Sequence, residues 1–420
     1  MSKDELKAKV LREIDARMPE FAQLLGDVVR IPTDNPPGDT TECVSFLAAY
    51  LKSKGLPAEV YEPRPTLQSL VSYATGAESG RNLVLNGHLD QFPAGDSKDW
   101  SFDPYSGECS EGRILGRGVG DMKAGSVASL LCLLLVHELK IPIAGQLTLA
   151  LVADEEAGSK WGVRWLLENV PCTRGDACLN SEPTCLDQVL IGHRGMYWLE
   201  VKTRHPGGWA GDPAADDAIS RAMLVAEAVK KLQGWKVTPA AEIAPAIERA
   251  KRKLEGQPST RGSSWIVDST TVNVGTIQGG VQPNTIPAHC ALVIDVRPPI
   301  GITTAQLQKR VEEAIAETGL NREEISLKWL LDFEASYCSP DDEIVRLTAA
   351  NAGAITGQEI EVNASAGSTD TRLWWARGIP AVVYGTNAEN IAAPDEYVPL
   401  TEFRDVIKVH AATAVDYLCA

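Results

Sequence analysis

The sequence predicts an α/β protein: a domain with a mostly parallel central sheet covered by helices, interrupted by a smaller α+β domain. Three observations predict it. Two short, mostly apolar runs, NLVLN at 82–86 and QLTLALV at 146–152, bracket a helical run after Gly125, the strand–helix–strand rhythm of a layer covered on both faces. From about Val189 the texture changes to alternating strands such as YWLEVKT at 197–203, and after Ser339 the α/β pattern resumes. The 420 residues fit two or three domains at roughly 150 residues each. With 44% hydrophobic and 23% charged residues, composition sets aside a disordered or fibrous chain.

Taken in order, the stretch to about Leu56 reads as two helices separated by Ile31 to Thr40, whose prolines forbid helix continuation. The apolar run Val127 to Val136 falls short of the roughly 18 residues that cross a bilayer, so a buried helix is expected. In the middle of the chain come strand 197–203, a helix from Ala214 to Leu232, and strands Thr270–Ile277 and Cys290–Val296. A helix Thr304–Thr318 and a strand Ile325–Leu331 complete an inserted unit of about 140 residues, with its helices on one side of an antiparallel sheet. A helix Asp341–Ile355, a strand Ala381–Tyr384 and a closing helix Thr401–Leu418 follow. The domain division expected is 1–192 with 336–420 for the larger domain and 193–335 for the inserted one.

Lys and Arg total 40 against 56 Asp and Glu, a net charge of −16 that repels phosphate backbones and anionic membranes. Neither nucleic acid nor a membrane is an expected partner. Nine scattered cysteines without a CxxC pair suggest reduced thiols, and the charged N-terminus lacks the pattern of a secretory signal; a cytoplasmic location is expected.

Four segments place acids or an imidazole at predicted strand ends, where open α/β sheets carry their sites. In Asn86-Gly87-His88-Leu89-Asp90, residues two apart on a strand point the same way, so the Asp90 carboxylate could fix the tautomer of a ligating His88. The loop Gly116-Arg117-Gly118-Val119-Gly120-Asp121-Met122-Lys123-Ala124-Gly125 lacks P-loop spacing, and Asp121 would repel a phosphate; a bridging metal carboxylate fits better. Asp154-Glu155-Glu156 places three consecutive carboxylates at a strand end, tolerable where solvent or a cation compensates. Glu182 in SEPT is a further acid past a strand. Each pattern alone also fits a hydrogen-bonded pair or a solvated turn; jointly they suit a two-cation site.

The ordered set NGHLD, GRGVGDMKAG, ADEEAGS and SEPT, followed by GSTD and APDEYV, resembles the co-catalytic zinc metallohydrolase family. That family includes aminoacylase, acetylornithine deacetylase, succinyl-diaminopimelate desuccinylase and glutamate carboxypeptidase. The resemblance spans nearly the whole chain. It implies that His88, Asp121 and Glu182 ligate one zinc, that Asp121 bridges to a second ion also held by Glu156, that Glu155 is the general base and that Asp90 orients His88. Cobalt would substitute in vitro. Asn284 in QPNTIP and Arg297 in DVRP match positions that help hold a substrate carboxylate, and Gly367, Ser368, Thr369 and Asp370 match a substrate-side loop. Arg297 fits a structural salt bridge as well, and Asn284 a turn. A homodimer through the inserted domain, read as a lid over the catalytic one, is implied, as is lid closure hinged near 190–195 and 333–340.

Two positions depart from the family pattern. Ala392 stands where relatives carry the histidine that completes the second metal site, leaving Asp121 and Glu156; Glu389 or Asn390 could replace it only after a loop shift. Trp209, in the loop Arg204 to Pro213, stands where relatives carry an oxyanion-stabilising histidine; its indole donates a hydrogen bond but carries no charge, and His205 is no obvious substitute. The expectation is therefore a hydrolase of the amide bond in an N-acyl amino acid or small peptide-like substrate, holding one zinc firmly, with altered or reduced activity. The alternative is a non-hydrolytic enzyme, condensing or cyclising an amino-acid-derived substrate on the same scaffold; a binding protein without catalysis also stays open.

Overall fold

The computed structural model describes residues 1–211, 216–258, 260–387 and 390–419. The chain divides into two compact units. The first comprises Met1–Ile191, Cys338–Asn363 and Thr369–Ala420, the second Gly192–Tyr337 and Ala364–Ser368.

The first unit opens with α1 (Lys3–Val29), capped by Ser2 and Glu5 in a reciprocal capping box, and α2 (Thr41–Ser53), separated by the proline loop. Its sheet begins with β1 (Glu59–Arg64), β2 (Leu67–Thr75) and β3 (Glu78–His88). A small three-stranded sheet holds β4 (Cys109–Ser110), β5 (Arg113–Leu115) and β18 (Tyr397–Pro399). The helix α3 (Ala124–Glu138) then crosses to β6 (Ala144–Val152), and α4 (Val163–Asn169) precedes β7 (Ala177–Asn180) and β8 (Gln188–His193). Later come α8 (Glu343–Thr356), β16 (Glu361–Ser365), the short α9 (Arg372–Trp375), β17 (Ala381–Val383) and α10 (Leu400–Leu418).

The main sheet has nine strands in the order β1-β2-β6-β3-β7-β17-β8-β15, with β16 on β8 and β15 spanning Ser336–Tyr337. Its centre, β6-β3-β7-β17, is parallel, while β1, β2, β8 and β15 pair antiparallel. The sheet is thus mixed, with the expected parallel pairing confined to its core. The flank β1–β2 escapes sequence reading because EVYEPR alternates half-buried with exposed residues and carries charge and a proline. The strand-forming runs at the centre are buried on both faces, in keeping with their mostly apolar residues, and the polar Asn86 and Thr148 among them are hydrogen-bonded within the sheet.

The helix α3 is apolar all round because it is enclosed all round: Ala124 to Val136 are buried without exception, between the sheet and α10. This segment, with its preceding turn, is the one described stretch long and apolar enough to cross a membrane, and it is core. The helix α10 touches α1, α3 and α8. All nine cysteines are free thiols.

The second unit is built on a four-stranded antiparallel sheet, β11-β13-β9-β14, from β9 (Met196–Arg204), β11 (Thr271–Gly279), β13 (His289–Arg297) and β14 (Ile325–Phe333). The helices α5 (Ala218–Lys230) and α7 (Thr304–Ala316) share its core through Val225, Val229, Leu307 and Val311 against Leu199, Val201, Leu292 and Ile294. A two-stranded ribbon pairs β10 (Gly208–Trp209) with β12 (Thr285–Ile286). The expected helix from Ala214 begins at Ala218 behind an Asp217 cap; Ala214 itself lies outside the described residues. A further helix, α6 (Ala244–Gly256), lies outside the elements expected from the sequence, although Ala246, Ile247 and Ala250 recur at helical spacing and form its buried face.

His410 shows what the enclosed α3–α10 contact demands. Its Nε2 donates to the Tyr384 carbonyl at 2.8 Å, and its Nδ1 lies 3.3 Å from the Ser129 hydroxyl. Burial lowers its pKa from 6.5 to about 4, offset only in part by the bond to Tyr384. The unfolded chain therefore binds a proton in a range where the native protein does not, so this stability is complete above pH 6.5 and is lost as the pH falls toward 4. Urea unfolding should show His410 contributing a loss of about 2 kcal/mol between pH 7.5 and pH 5. The His410→Gln variant should lose that much less over the same range; an identical slope for the two proteins would refute it.

Candidate active site

The strand β3 lies between β6 and β7, with His88 opposite Val152 and Asn86 opposite Asn180. Strand order reverses at β3, so the carboxyl ends of three neighbouring strands open on one crevice, the usual binding position in such sheets. His88 ends β3, Glu155 and Glu156 follow β6, Glu182 follows β7, and Asp121 sits in the turn before α3. That turn comes close to β7 only because residue 125 is glycine: a Cβ there would lie 2.0 Å from the Ser181 carbonyl oxygen. Ser126 then donates to the His88 carbonyl at 2.7 Å, tying α3 to the end of β3.

His88 Nε2 is 3.0 Å from Asp121 Oδ1 and 3.5 Å from Glu182 Oε1. One ligand atom from each of the three lies within 4.8 Å of the others, a spacing that can hold a metal ion. Glu156 Oε1 is buried without a hydrogen-bond partner. Glu155 Oε1 accepts from Arg372 Nη1 at 3.2 Å.

The link between His88 and Asp90 differs from the sequence reading. His88 Nδ1 meets the backbone carbonyl of Asp90 at 2.8 Å, while the nearer carboxylate oxygen is 3.7 Å away. The strand ends at His88, so the rule that residues two apart share a face no longer governs residue 90. With a proton kept on Nδ1 by that carbonyl, a cation displacing the other proton would find the Nε2 lone pair aimed between Asp121 and Glu182. The Asp90 carboxylate instead accepts from the backbone N–H groups of Glu155 and Glu156, both at 3.1 Å, and from Asn35 Nδ2 at 2.9 Å. It holds the acidic turn after β6 in place.

Electrostatics make the set unstable as bare carboxylates. Burial, then the charge of Asp121, pushes Glu156 up to about 10; burial and Asp121 likewise push Glu182 up to about 8, against the pull of His88. Burial raises Glu155 as well, against Arg372. On His88 burial acts downward, but Glu182 and Asp121 outweigh it and hold the imidazole well above its usual value. These acids and an orphaned oxygen fit a divalent cation, which would satisfy Glu156 and remove the mutual repulsion.

Glu396 is a structural keystone invisible in the sequence. From the DEY segment its buried carboxylate accepts from Arg117 Nη1 at 2.6 Å and from the backbone N–H groups of Gly118, Gly120 and Asp121 at 3.2, 2.8 and 3.2 Å. It folds the glycine-rich loop around itself and so sets Asp121. An acid in a motif distant from a loop with many unsatisfied N–H groups was the available signal.

Ala392 is exposed, and its neighbour Asn390 donates its amide to the Asp395 carbonyl at 3.1 Å; Glu389 lies outside the described residues. In the second unit Trp209 is 72% exposed and pairs with Thr285 across the β10–β12 ribbon. Asn284 joins the same ribbon, its carbonyl accepting from Ala210 at 3.2 Å, whereas Asp212 and Pro213 are outside the described residues. His205 is used locally, its Nδ1 accepting from Gly207 at 3.0 Å. Arg297 ends β13 and pairs with Asp295 at 2.9 Å, about 27 Å of strand from His289 at the Asn284 end. Within this unit Asn284 and Arg297 therefore do not meet on one carboxylate. Of the GSTD segment, Gly367 and Ser368 belong to the second unit, Thr369 and Asp370 to the first.

Residues 84–416 match the profile of the family described as Peptidase family M20/M25/M40. The chain belongs to this family. It is a metallopeptidase- or amidohydrolase-type enzyme, in keeping with the resemblance its motifs carry. A succinyl-diaminopimelate desuccinylase of Cereibacter sphaeroides is 28% identical over 407 residues, covering 94% of this chain and 98% of the relative. An N-formyl-4-amino-5-aminomethyl-2-methylpyrimidine deformylase of Halalkalibacterium halodurans is 25% identical over 402 residues, covering 90% and 89%. Among solved structures, an M20 family metallo-carboxypeptidase of Sulfolobus solfataricus has a TM-score of 0.79 at 17% identity, covering 95% of this chain and 99% of that one. Human carnosine dipeptidase 1 has a TM-score of 0.75 at 15% identity, covering 98% of each chain.

Glu396→Ala leaves Arg117 buried and unpaired, and should lower the unfolding free energy by about 3–5 kcal/mol. The exposed Glu359→Ala should change it by less than about 0.5 kcal/mol. Denaturant unfolding of the two variants measures the contrast, and equal effects would rule out the keystone role.

Proposed function

We propose that this M20 family member is a metal-dependent hydrolase of the amide bond in an N-acyl amino acid or small peptide-like substrate, with activity altered by Ala392 and Trp209. The observation that carries the reading is the convergence of His88, Asp121 and Glu182 beside Glu155 at the strand ends. The names of the relatives support it, since desuccinylase, deformylase and dipeptidase all denote cleavage at an amide.

His88, Asp121 and Glu182 would hold one zinc ion, and Asp121 with Glu156 would face a second, weaker position that lacks its histidine at Ala392. A bound zinc supplies a lowered pKa for water and a positive charge against the developing oxyanion. The chain's own residues do the rest. Glu155 takes the proton from the attacking water and returns it to the leaving amine. Asp90 holds the Glu155–Glu156 turn by its N–H groups, and its carbonyl keeps the His88 ring in the ligating tautomer. Trp209 offers an indole N–H where relatives would have an imidazole, so oxyanion stabilisation from that side is weakened. Asn284 and Arg297 are proposed to help hold the substrate carboxylate, each from a different protomer of a homodimer formed through the second unit, with Gly367, Ser368 and Thr369 as a substrate-side loop and the cytoplasm as the place of work.

Ala392 and Trp209 occurring together favour a second reading, in which the same pocket joins or cyclises amino-acid-derived substrates and Glu155 remains the proton carrier. A steady-state assay over N-acyl amino acids and dipeptides, with zinc or cobalt added, separates the two. Hydrolysis is expected, with Glu155→Gln reducing it by roughly 10²–10⁴-fold. Elemental analysis should find one zinc per chain and two in Ala392→His, with faster turnover. No hydrolysis of any substrate, even by Ala392→His, would remove the first reading.

A further inference from the structure

We propose that Arg372 is the positioning residue for Glu155, clamping one oxygen of the proposed general base while Ser159 and Asp370 hold the guanidinium from behind. The inference rests on the hydrolase reading above and assigns a function to the GSTD-TR segment, residues 367–372, beyond contact with substrate.

Arg372 opens α9 and is only 3% exposed. Its Nη1 donates to Glu155 Oε1 at 3.2 Å and its Nη2 to Ser159 Oγ at 2.6 Å. The Ser159 hydroxyl donates in turn to Asp370 Oδ1 in a short contact. Asp370 is buried, and its Oδ2 has no hydrogen-bond partner. Four side chains from two loops thus form a line, Asp370 to Ser159 to Arg372 to Glu155.

The turn after β6 is shaped to supply two members of that line. Ser159 sits in the left-handed region at φ 61°, as Asp154 does at φ 69°. Such backbone is unfavourable for side-chain-bearing residues unless the surroundings hold it. The hold is visible: Ser159 N donates to the Asp154 carbonyl at 2.6 Å, and Trp161 N to Asp154 Oδ2 at 2.9 Å. Its consequence is that Glu155 and Ser159, four residues apart, address the two terminal nitrogens of one planar guanidinium.

Glu155 reaches into the site on a flexible arm, and a base must lie within hydrogen-bond reach of the proton it takes. One Arg nitrogen on Oε1 sets the carboxylate plane and leaves Oε2 as the proton acceptor. The fork is rigid, so fixing its second nitrogen on Ser159 fixes the first. With both terminal nitrogens engaged and the side chain enclosed, Arg372 acts through Glu155 and not on a substrate carboxylate. A buried ion pair adds little net stability, so stability alone does not account for the arrangement.

The test compares wild type with Arg372→Gln, Arg372→Lys and Ser159→Ala, each first checked for a cooperative thermal transition and for metal content. Misplacement of a reacting group by about 1 Å costs roughly 10²-fold, and Arg372→Gln should lower kcat by about that factor with KM within twofold. Lys restores a single donor, so Arg372→Lys should recover roughly tenfold of the loss, and Ser159→Ala should fall between it and wild type. Crystal structures of the variants give a readout independent of turnover: Glu155 should leave its position in Arg372→Gln while His88, Asp121 and Glu182 stay and metal content is unchanged. An unmoved Glu155, an unchanged kcat, or a loss confined to KM would overturn the inference. Absence of hydrolysis by the wild type would defeat the hydrolase reading alone, and the position of Glu155 would still decide the role of Arg372.

Discussion

Buried carboxylates at the ends of adjacent strands repel one another, and a fold that brings them together needs a positive charge among them. That constraint organises this molecule. The parallel centre of the main sheet carries His88, Glu155, Glu156 and Glu182 to one crevice because β3 lies between β6 and β7. The turn before α3 adds Asp121. Among the described residues, a lone imidazole and the Arg372 guanidinium are the positive groups in contact with this set, fewer than the acids they face. Glu156, with an oxygen that nothing in the described residues satisfies, marks where compensation is missing.

Much of the structure around the crevice serves to hold acids still. Asp90 spends its carboxylate on two backbone N–H groups, Glu396 spends its own on three, and Asn35 reaches in from the proline loop to hold Asp90. The acids proposed to touch metal or substrate are thus supported by others that bind backbone N–H groups and neighbouring side chains. This division explains why the motifs are so rich in Asp and Glu without all of them being ligands. A ligand must be in place before the ion arrives, and only a supporting shell of this kind achieves it.

The sequence made some of this legible and not the rest. Strands 82–86 and 146–152 stand out because enclosure on both faces favours mostly apolar residues, and α3 stands out for the same reason. The strand-end acids are legible because an acid past an apolar strand is unusual. The β1 edge is not, since its half-exposed, charged run carries a weak pattern, whereas the largely buried β2 and the amphipathic α6 do carry a signal. Glu396, Arg117 and Arg372 are equally obscure: their partners lie more than two hundred residues away in the chain, in contacts that periodicity does not encode. Asp90 is a partial case, right in place and wrong in contact, because local geometry changes where a strand stops.

Ala392 and Trp209 are the two residues proposed to set this chain apart from the pattern its motifs follow. Both are exposed, in different units of the chain, so each can change without disturbing the core. The account stands or falls on a cation in the crevice. A zinc titration of metal-free protein, followed by thermal unfolding, tests it most directly: saturable binding should raise the transition temperature, and Asp121→Asn should abolish the rise. A transition that ignores zinc at every concentration, in a protein whose native fold is intact, would contradict it.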